Sequence, residues 1–282
     1  MMSGKLRDYL DLIRFDKPIG TLLVLWPTLW ALWLASDRQP SFTYFLIFLL
    51  GTFLMRSAGC AINDFADRDF DKHVERTQDR PLTAGRIASW EALMVAGVLA
   101  ILAFMLILPL NTFTKILSVP ALLVAIIYPF TKRFFSIPQA ILGIAFSMGI
   151  PMSYTAVQNE IPAHAWVLVL ANIAWAIAYD TAYAMVDRND DLKLGIKTSA
   201  ITFGRHEVLA VLICYGILMF GFAYVAWTQN FSPIFWLFWV LAGALIFHYY
   251  QLIKTRDRAK CFQAFKQNNW LGALFFIAIA CS

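Results

Sequence analysis

Charge is what this 282-residue chain has least of. Asp, Glu, Lys and Arg make up 15% of it, against about 25% in an average soluble domain. That is too little polar surface to cover a water-soluble globule of this size. Cysteine is scarce as well: Cys60, Cys214, Cys261 and Cys281 show neither CxxC spacing nor clustering. A disulfide framework and a thiolate zinc site are therefore not expected, and the four read as small apolar packing residues. The histidines, His73, His164, His206 and His248, are equally scattered, and no metal-ligand spacing links them. A cleavable leader is also lacking. The first apolar stretch follows Arg14, Asp16 and Lys17, no small-residue cleavage site ends it, and it reads as a retained membrane helix. Neither a heptad seam nor a clear GxxxG face stands out to set an oligomeric state, and no obligate protein partner is evident.

What the chain has is apolar sequence, 60% of all residues, in long runs such as 21–35, 42–55 and 93–110. About nine candidate spans lie near 18–35, 41–62, 90–109, 113–130, 138–157, 164–186, 208–227, 232–250 and 268–282, in one helical membrane domain over 1–282. The last is shorter than the roughly 20 residues a crossing needs. Either that helix begins earlier, near Cys261, or the sequence stops short of its natural end.

The net charge of +5 needs no nucleic acid to explain it, because the basic residues fall between the apolar runs. With nine spans, one side of the bilayer holds Lys5, Arg7, Arg14 and Lys17. The same side holds Arg68, Lys72, Arg76, Arg80 and Arg86, then Lys132 and Arg133, then Arg188, Lys193, Lys197 and Arg205, and last Lys254 to Lys266. The opposite loops hold Arg38 alone, with Arg56 and Lys115 inside helices. A Lys/Arg excess marks cytoplasmic loops, so the N-terminus and the two long loops, roughly 63–89 and 187–207, are expected to face the cytoplasm.

Both long loops begin with acidic residues. In the first, Asn63, Asp67 and Asp71 recur every four residues, and Asp64 precedes Asp67 by three. If the second helix runs on through them, they share one face at about 5–6 Å spacing. Stacked carboxylates repel and need a cation; Mg²⁺, which prefers oxygen ligands shared with substrate phosphates, is the natural candidate. Alone, the stripe reads equally as a solvated helix end. The second motif changes that balance. Asp187 and Asp191 are again four apart, and Tyr183 and Tyr179 continue the face inward. One four-helix unit separates the two motifs, which points to a parallel internal repeat. Two facing acidic clusters closing a membrane cavity suit a diphosphate held through Mg²⁺.

Basic residues stand nearby. Arg68, Lys72, Arg76 and Arg80 follow the first motif, and Lys132 follows Tyr128; Arg grips phosphate oxygens bidentately, Lys as a point charge. Spacing alone does not separate phosphate contacts from solvated charge. Arg56 lies deeper, two turns before Asn63. An intramembrane Arg is a functional candidate by default, here for a substrate carboxylate or for contacts within the bundle. Asn172, two turns before Tyr179, suits the same interior or an interhelical hydrogen bond.

These residues carry a resemblance. Asn63-Asp64-x-x-Asp67-x-x-x-Asp71 followed by Arg76-Thr77-x-x-Arg80-Pro81-Leu82 resembles the first signature of the UbiA superfamily of membrane prenyltransferases. Tyr179-Asp180-Thr181-x-Tyr183-Ala184-Met185-Val186-Asp187-Arg188-x-Asp190-Asp191, then Gly195-Ile196-Lys197-Thr198, resembles the second. That form is similar to the bacterial 4-hydroxybenzoate polyprenyltransferases, as are Asp16-Lys17-Pro18-Ile19-Gly20, the stretch from Leu25 to Ala31, and Tyr128-Pro129-Phe130-x-Lys132-Arg133. Thr198 stands where serine is commoner, a conservative change.

The resemblance implies nine helices in two four-helix pseudo-repeats around a lateral, lipid-open cavity, in the inner membrane of a bacterium. It implies Mg²⁺ held by Asp67, Asp71, Asp187 and Asp191, a long polyprenyl diphosphate donor, and attack by the ring carbon ortho to the hydroxyl of 4-hydroxybenzoate, giving a ubiquinone precursor. Asn63, Arg68, Tyr128, Lys132, Asp180 and Tyr183 join Arg56 as candidate substrate contacts. Asp64 or Asp191 is left as the acceptor of the phenolic proton. Another aromatic acceptor would fit the same motifs. An ion-coupled transporter would instead place its acids near the midplane on broken helices.

Overall fold

The computed structural model describes residues 4–74 and 77–282; Arg76 lies outside the described residues. The described chain is helical, with no strand. It runs α1 (Gly4–Leu12), α2 (Pro18–Ala35), α3 (Phe42–Asp67), α4 (Ser89–Ile107), α5 (Thr112–Thr131), α6 (Pro138–Ser147) and α7 (Gly149–Gln158). It continues with α8 (Ala163–Leu194), α9 (Ser199–Phe203), α10 (Glu207–Thr228), α11 (Ile234–Ile253) and α12 (Arg258–Ala280).

The helix starts are written locally. Pro18 and Pro138 open α2 and α6, where a missing N–H costs nothing. Ser41, Asn111, Thr198 and Asp257 side chains accept from backbone N–H groups of the first turns of α3, α5, α9 and α12, which satisfies donors that have no intrahelical partner. The expected span 138–157 is broken between α6 and α7. Pro151 has no N–H for the Ser147 carbonyl, and the Ser147 hydroxyl there takes a hydrogen bond from Asn172 Nδ2 at 2.8 Å. Asn172 thus has the interhelical role and does not line the cavity.

Eight helices, counting α6 with α7 and α9 with α10, are long and apolar enough to cross a membrane. The chain is thus a multi-pass membrane protein. The expected ninth span rests on α12. It starts at Arg258, ten residues before the expected 268, and its 23 residues give about 34 Å of helix. Its first half carries Lys260, Gln263, Lys266, Gln267, Asn268 and Asn269, which is why hydrophobicity alone shortened it. Asn268 is fully buried. Its Oδ1 accepts from Trp175 Nε1 at 2.9 Å and from Tyr215 OH at 3.0 Å, and its Nδ2 donates to the Ala264 carbonyl. Gly272 lets α12 close on its neighbours: a Cβ there would meet Trp26 at 2.5 Å and Trp175 at 2.6 Å. Around this contact Trp30, Trp175, Phe222 and Phe275 form an aromatic core, with the two phenyl rings stacked at 3.9 Å.

The two halves repeat one plan. In each, a long second helix (α3, α8) ends in an acidic motif, and a short helical piece (71–73, α9) precedes the third helix. Between the halves lies a cavity of about 1380 Å³. Its α4 and α5 wall includes Ile101, Val119 and Leu123, apolar side chains that are themselves exposed, as suits a cavity open to lipid on this flank.

Candidate active site

The α3 helix has 26 residues and α8 has 32, which corresponds to about 39 and 48 Å. Both exceed a hydrocarbon layer of about 30 Å. Their last turns therefore carry carboxylates past the apolar layer while their middles remain in it. Asp64, Asp67, Asp71, Asp187 and Asp191 all line the cavity and all are buried, Asp64 completely. Buried carboxylates are tolerated only when paired or bound to cations.

The motifs differ in shape. α8 continues through Asp187 and Asp191 to Gly195, whose φ of 68° closes it, so the four-residue stripe stands as expected. α3 stops at Asp67, and Asp71 sits in a 3-10 turn over 71–73. The helical stripe expected through Asn63, Asp67 and Asp71 is thus corrected at its last member. After Asp67 the chain folds back instead of continuing as α-helix. The turn lets Arg80 reach both neighbours, donating from Nη1 to Asp64 Oδ1 at 3.0 Å and to Asp71 Oδ2 at 2.7 Å. Burial pushes the Asp71 carboxyl above its ordinary range while Arg80 pulls it back. Burial lowers Arg80, but Asp64 and Asp71 outweigh it and hold the guanidinium charged.

Lys132 Nζ meets Asp67 Oδ2 at 2.5 Å, and the Lys132 carbonyl accepts from the Lys197 N–H at 3.0 Å. The loop after the second motif is thereby tied to a residue that reaches the first. Asp64 Oδ2 and Asp67 Oδ1 are buried without a partner among the described residues. Orphaned hard oxygens in a row fit Mg²⁺. No three His, Cys, Asp or Glu side chains among the described residues gather closely enough to hold a metal by themselves, so phosphate oxygens would have to complete the shell, as Mg²⁺ favours.

A second polar level lies deeper. Arg56 precedes Asp67 by eleven residues, and Asp180 precedes Asp191 by eleven, about 16 Å or three turns along the same faces. Both line the cavity with Asn63, Cys60, Tyr128, Tyr179 and Tyr183. Tyr128 lies near Asp180, Asp67, Arg56 and Cys60. Arg56 Nη1 donates to Cys60 Sγ, and its Nε is buried without an acceptor among the described residues. Its guanidinium fits because residue 20 is glycine: a Cβ there would lie 2.6 Å from Nη2. Tyr183 lies tilted against Phe265 and Phe262 of α12, at 4.6 and 6.1 Å between ring centres.

Of the candidates read from sequence, Arg68 and Lys72 stand outside the cavity, as Asn172 does, with Lys72 Nζ beside Asp69 at 3.6 Å. Arg68 Nη1 turns back to the Phe65 carbonyl at 2.8 Å, and its guanidinium lies 4.6 Å from the Phe65 ring. Arg14, Gly20 and Cys60 do line it; sequence reasoning gave them no role. Gly20 lay within a quoted motif and Arg14 near it, but contacts to Arg56 and Asp64 across 36 and 50 residues leave no local signal.

The profile of the UbiA prenyltransferase family matches residues 24–279. A 4-hydroxybenzoate octaprenyltransferase from Cupriavidus pinatubonensis is 60% identical over 99% of this chain and 98% of its own. Another of that name from Polynucleobacter asymbioticus is 61% identical over 99% and 97%. Among solved structures, a UbiA homologue from Aeropyrum pernix superposes with a TM-score of 0.81 at 22% identity, over 92% of this chain and 96% of that one. A UbiA homologue from Archaeoglobus fulgidus, bound to DMAPP and Mg²⁺, gives 0.76 at 19%, over 96% and 97%; these two likenesses are of fold. With the profile spanning most of its length and relatives this similar from end to end, the chain belongs to the UbiA prenyltransferase family.

Proposed function

We propose that this chain transfers a polyprenyl group from its diphosphate to the carbon ortho to the hydroxyl of 4-hydroxybenzoate, a step of ubiquinone biosynthesis. The observation that carries this reading is the two-level site. Five buried aspartates with Arg80 and Lys132 line the mouth of an apolar, laterally open cavity, and Arg56 with Asp180 lies about three turns deeper. The names of the relatives near 60% identity support the acceptor. The basic loops support an orientation with the mouth toward the cytoplasm of a bacterial inner membrane.

Asp67, Asp71, Asp187 and Asp191 are the residues that would hold Mg²⁺, with the buried Asp64 Oδ2 beside them. Bound Mg²⁺ would neutralise the diphosphate and ease its departure. Arg80 and Lys132 are placed to exchange carboxylate for phosphate oxygens as the donor settles. Arg56 faces an acceptor carboxylate in the lower level, where Gly20 leaves it room. The allylic C–O bond breaks with its electron pair on diphosphate, the ring carbon bonds to the allylic carbon, and the ring proton passes to the released diphosphate or to a motif carboxylate. Tyr183, beside the cavity-lining Phe262 and Phe265, offers an aromatic face to the positive charge in transit. The apolar walls keep out water that would quench it.

The test is prenyl transfer by membranes expressing the chain, supplied with 4-hydroxybenzoate and a polyprenyl diphosphate. Product is expected with Mg²⁺, and its loss with EDTA, with Asp67→Ala and with Asp191→Ala. Product that survives both substitutions would remove the two-motif site, and transfer only to other aromatics would remove the acceptor.

A further inference from the structure

The reaction above gives roles to Arg56, Arg80 and Lys132 and leaves Arg14 without one. Arg14 sits in the turn between α1 and α2 with a φ of 57°, uncommon for a residue with a Cβ. One side of its guanidinium closes that turn, with Nη1 donating to the Asp11 carbonyl at 2.8 Å. The other side enters the cavity mouth, where Nη2 donates to Asp64 Oδ1 at 2.7 Å. That oxygen already accepts from Arg80 at 3.0 Å. Two guanidiniums therefore converge on one buried carboxylate oxygen, while Asp64 Oδ2 has no partner among the described residues. The two cations share a single acceptor oxygen, and an incoming anion rich in oxygens would give each acceptors of its own.

The turn is held in place from below. Leu12 is completely buried and packs with Ala58, Ala61, Leu82, Ile87 and Ala92 of α3, α4 and the loop between them. Glu91, itself buried, accepts from the Ala88 N–H at 2.8 Å and from Tyr9 OH at 2.7 Å, and pairs with Lys5 Nζ at 2.7 Å. Arg86 Nε pairs with Asp8 at 2.7 Å. Three points on a nine-residue helix are more than is needed to keep a chain terminus out of the way. They fix the angle at which Arg14 leaves α1.

We propose, resting on the prenyl-transfer reading, that Arg14 is a further donor-site residue. Its guanidinium holds Asp64 before the donor arrives and grips the diphosphate afterwards, and Glu91 acts as the positioning residue that pins α1 and so aims it. Ion pairs of Arg with phosphate oxygens are among the stronger hydrogen bonds available to a side chain.

The full-length chain in detergent, as wild type, Arg14→Gln, Arg14→Lys and Glu91→Gln, tests this by steady-state kinetics with each substrate varied in turn. Arg14→Gln is expected to raise the donor KM by about tenfold or more, the loss of one charge-assisted hydrogen bond, and to leave the 4-hydroxybenzoate KM unchanged. Arg14→Lys should retain part of the donor affinity. Glu91→Gln should move the same constant in the same direction by less. An unchanged donor KM in Arg14→Gln overturns the proposal, as does a parallel rise of both constants with a lowered melting temperature, which would make the contact structural only. If Arg14→Gln does not fold, an unchanged donor KM in both other variants overturns it instead. A wild type that transfers nothing to 4-hydroxybenzoate would sink the function reading alone. Mg²⁺-dependent binding of geranyl diphosphate, weakened or not by Arg14→Lys, would then decide the case of Arg14.

Discussion

Arg56 shows how much one residue depends on another far away in sequence. Its place on α3, three turns below Asp67, follows from helical spacing; its freedom to lie flat beneath the acidic level follows from Gly20 on α2. Arg56→Ala is expected to raise the KM for 4-hydroxybenzoate by about 10- to 100-fold, equivalent to a charge-assisted hydrogen bond of roughly 1.5–3 kcal/mol. An unchanged KM would remove Arg56 as the reader of the carboxylate. Gly20→Ala should move the same constant in the same direction by less, because the side chain can shift but not stay where it is. Arg80 is the companion case at the upper level. Arg80→Ala leaves Asp64 and Asp71 buried without their shared cation, and removing one partner of such a network costs about 3–5 kcal/mol. Thermal unfolding in detergent without Mg²⁺ should show that loss, and added Mg²⁺ with diphosphate should recover part of it. The acidic stripes were legible in the sequence because i, i+4 spacing is local. The return of Arg80 onto Asp64 and Asp71 was not, because it depends on α3 ending at Asp67.

Among the elements, α12 departs furthest from its sequence signal. A hydrophobicity reading starts it ten residues late because its first half is amide-rich and charged. The structure turns that polarity inward, with Asn268 joining α8, α10 and α12 through Trp175, Tyr215 and the Ala264 carbonyl. Asn268→Ala strands the indole N–H and the phenol at once. A loss of about 1–3 kcal/mol is expected, the cost of buried groups left unpaired, read as a lower melting temperature with both substrate KM values unchanged. A melting temperature equal to wild type would mean that these groups find other partners. α1 was missed for a related reason. Nine residues with few apolar members give no membrane signal, and only docking against Glu91 and the α3–α4 loop defines the helix.

For the whole molecule, the decisive feature is that the cavity is polar where the two motif loops meet it and apolar along its exposed α4 and α5 wall. A long prenyl tail can stay in lipid while its diphosphate lies among the aspartates, so the cavity need not enclose the donor. Ala121→Trp, on the α5 wall, should therefore discriminate by length. We expect kcat/KM to fall by roughly tenfold with a long polyprenyl diphosphate, about 1.4 kcal/mol of lost fit, and to change little with dimethylallyl diphosphate. Equal losses for both donors would place the tail elsewhere.

The sequence by itself determined that the chain crosses a membrane several times, that helices begin near residues 18, 41, 113 and 138, and that two acidic motifs recur in equivalent places. Each of these is a matter of composition or of spacing within a few turns, where the covalent chain already sets the geometry. Tertiary structure alone decided which cations meet which carboxylates, that Asp71 leaves the helix, that Asn172 serves a helix break rather than the cavity, and that Arg14 enters the mouth from α1. Those contacts join residues tens to hundreds of positions apart. Their distances are fixed by how helices pack and where glycines let them approach, and no local pattern encodes either.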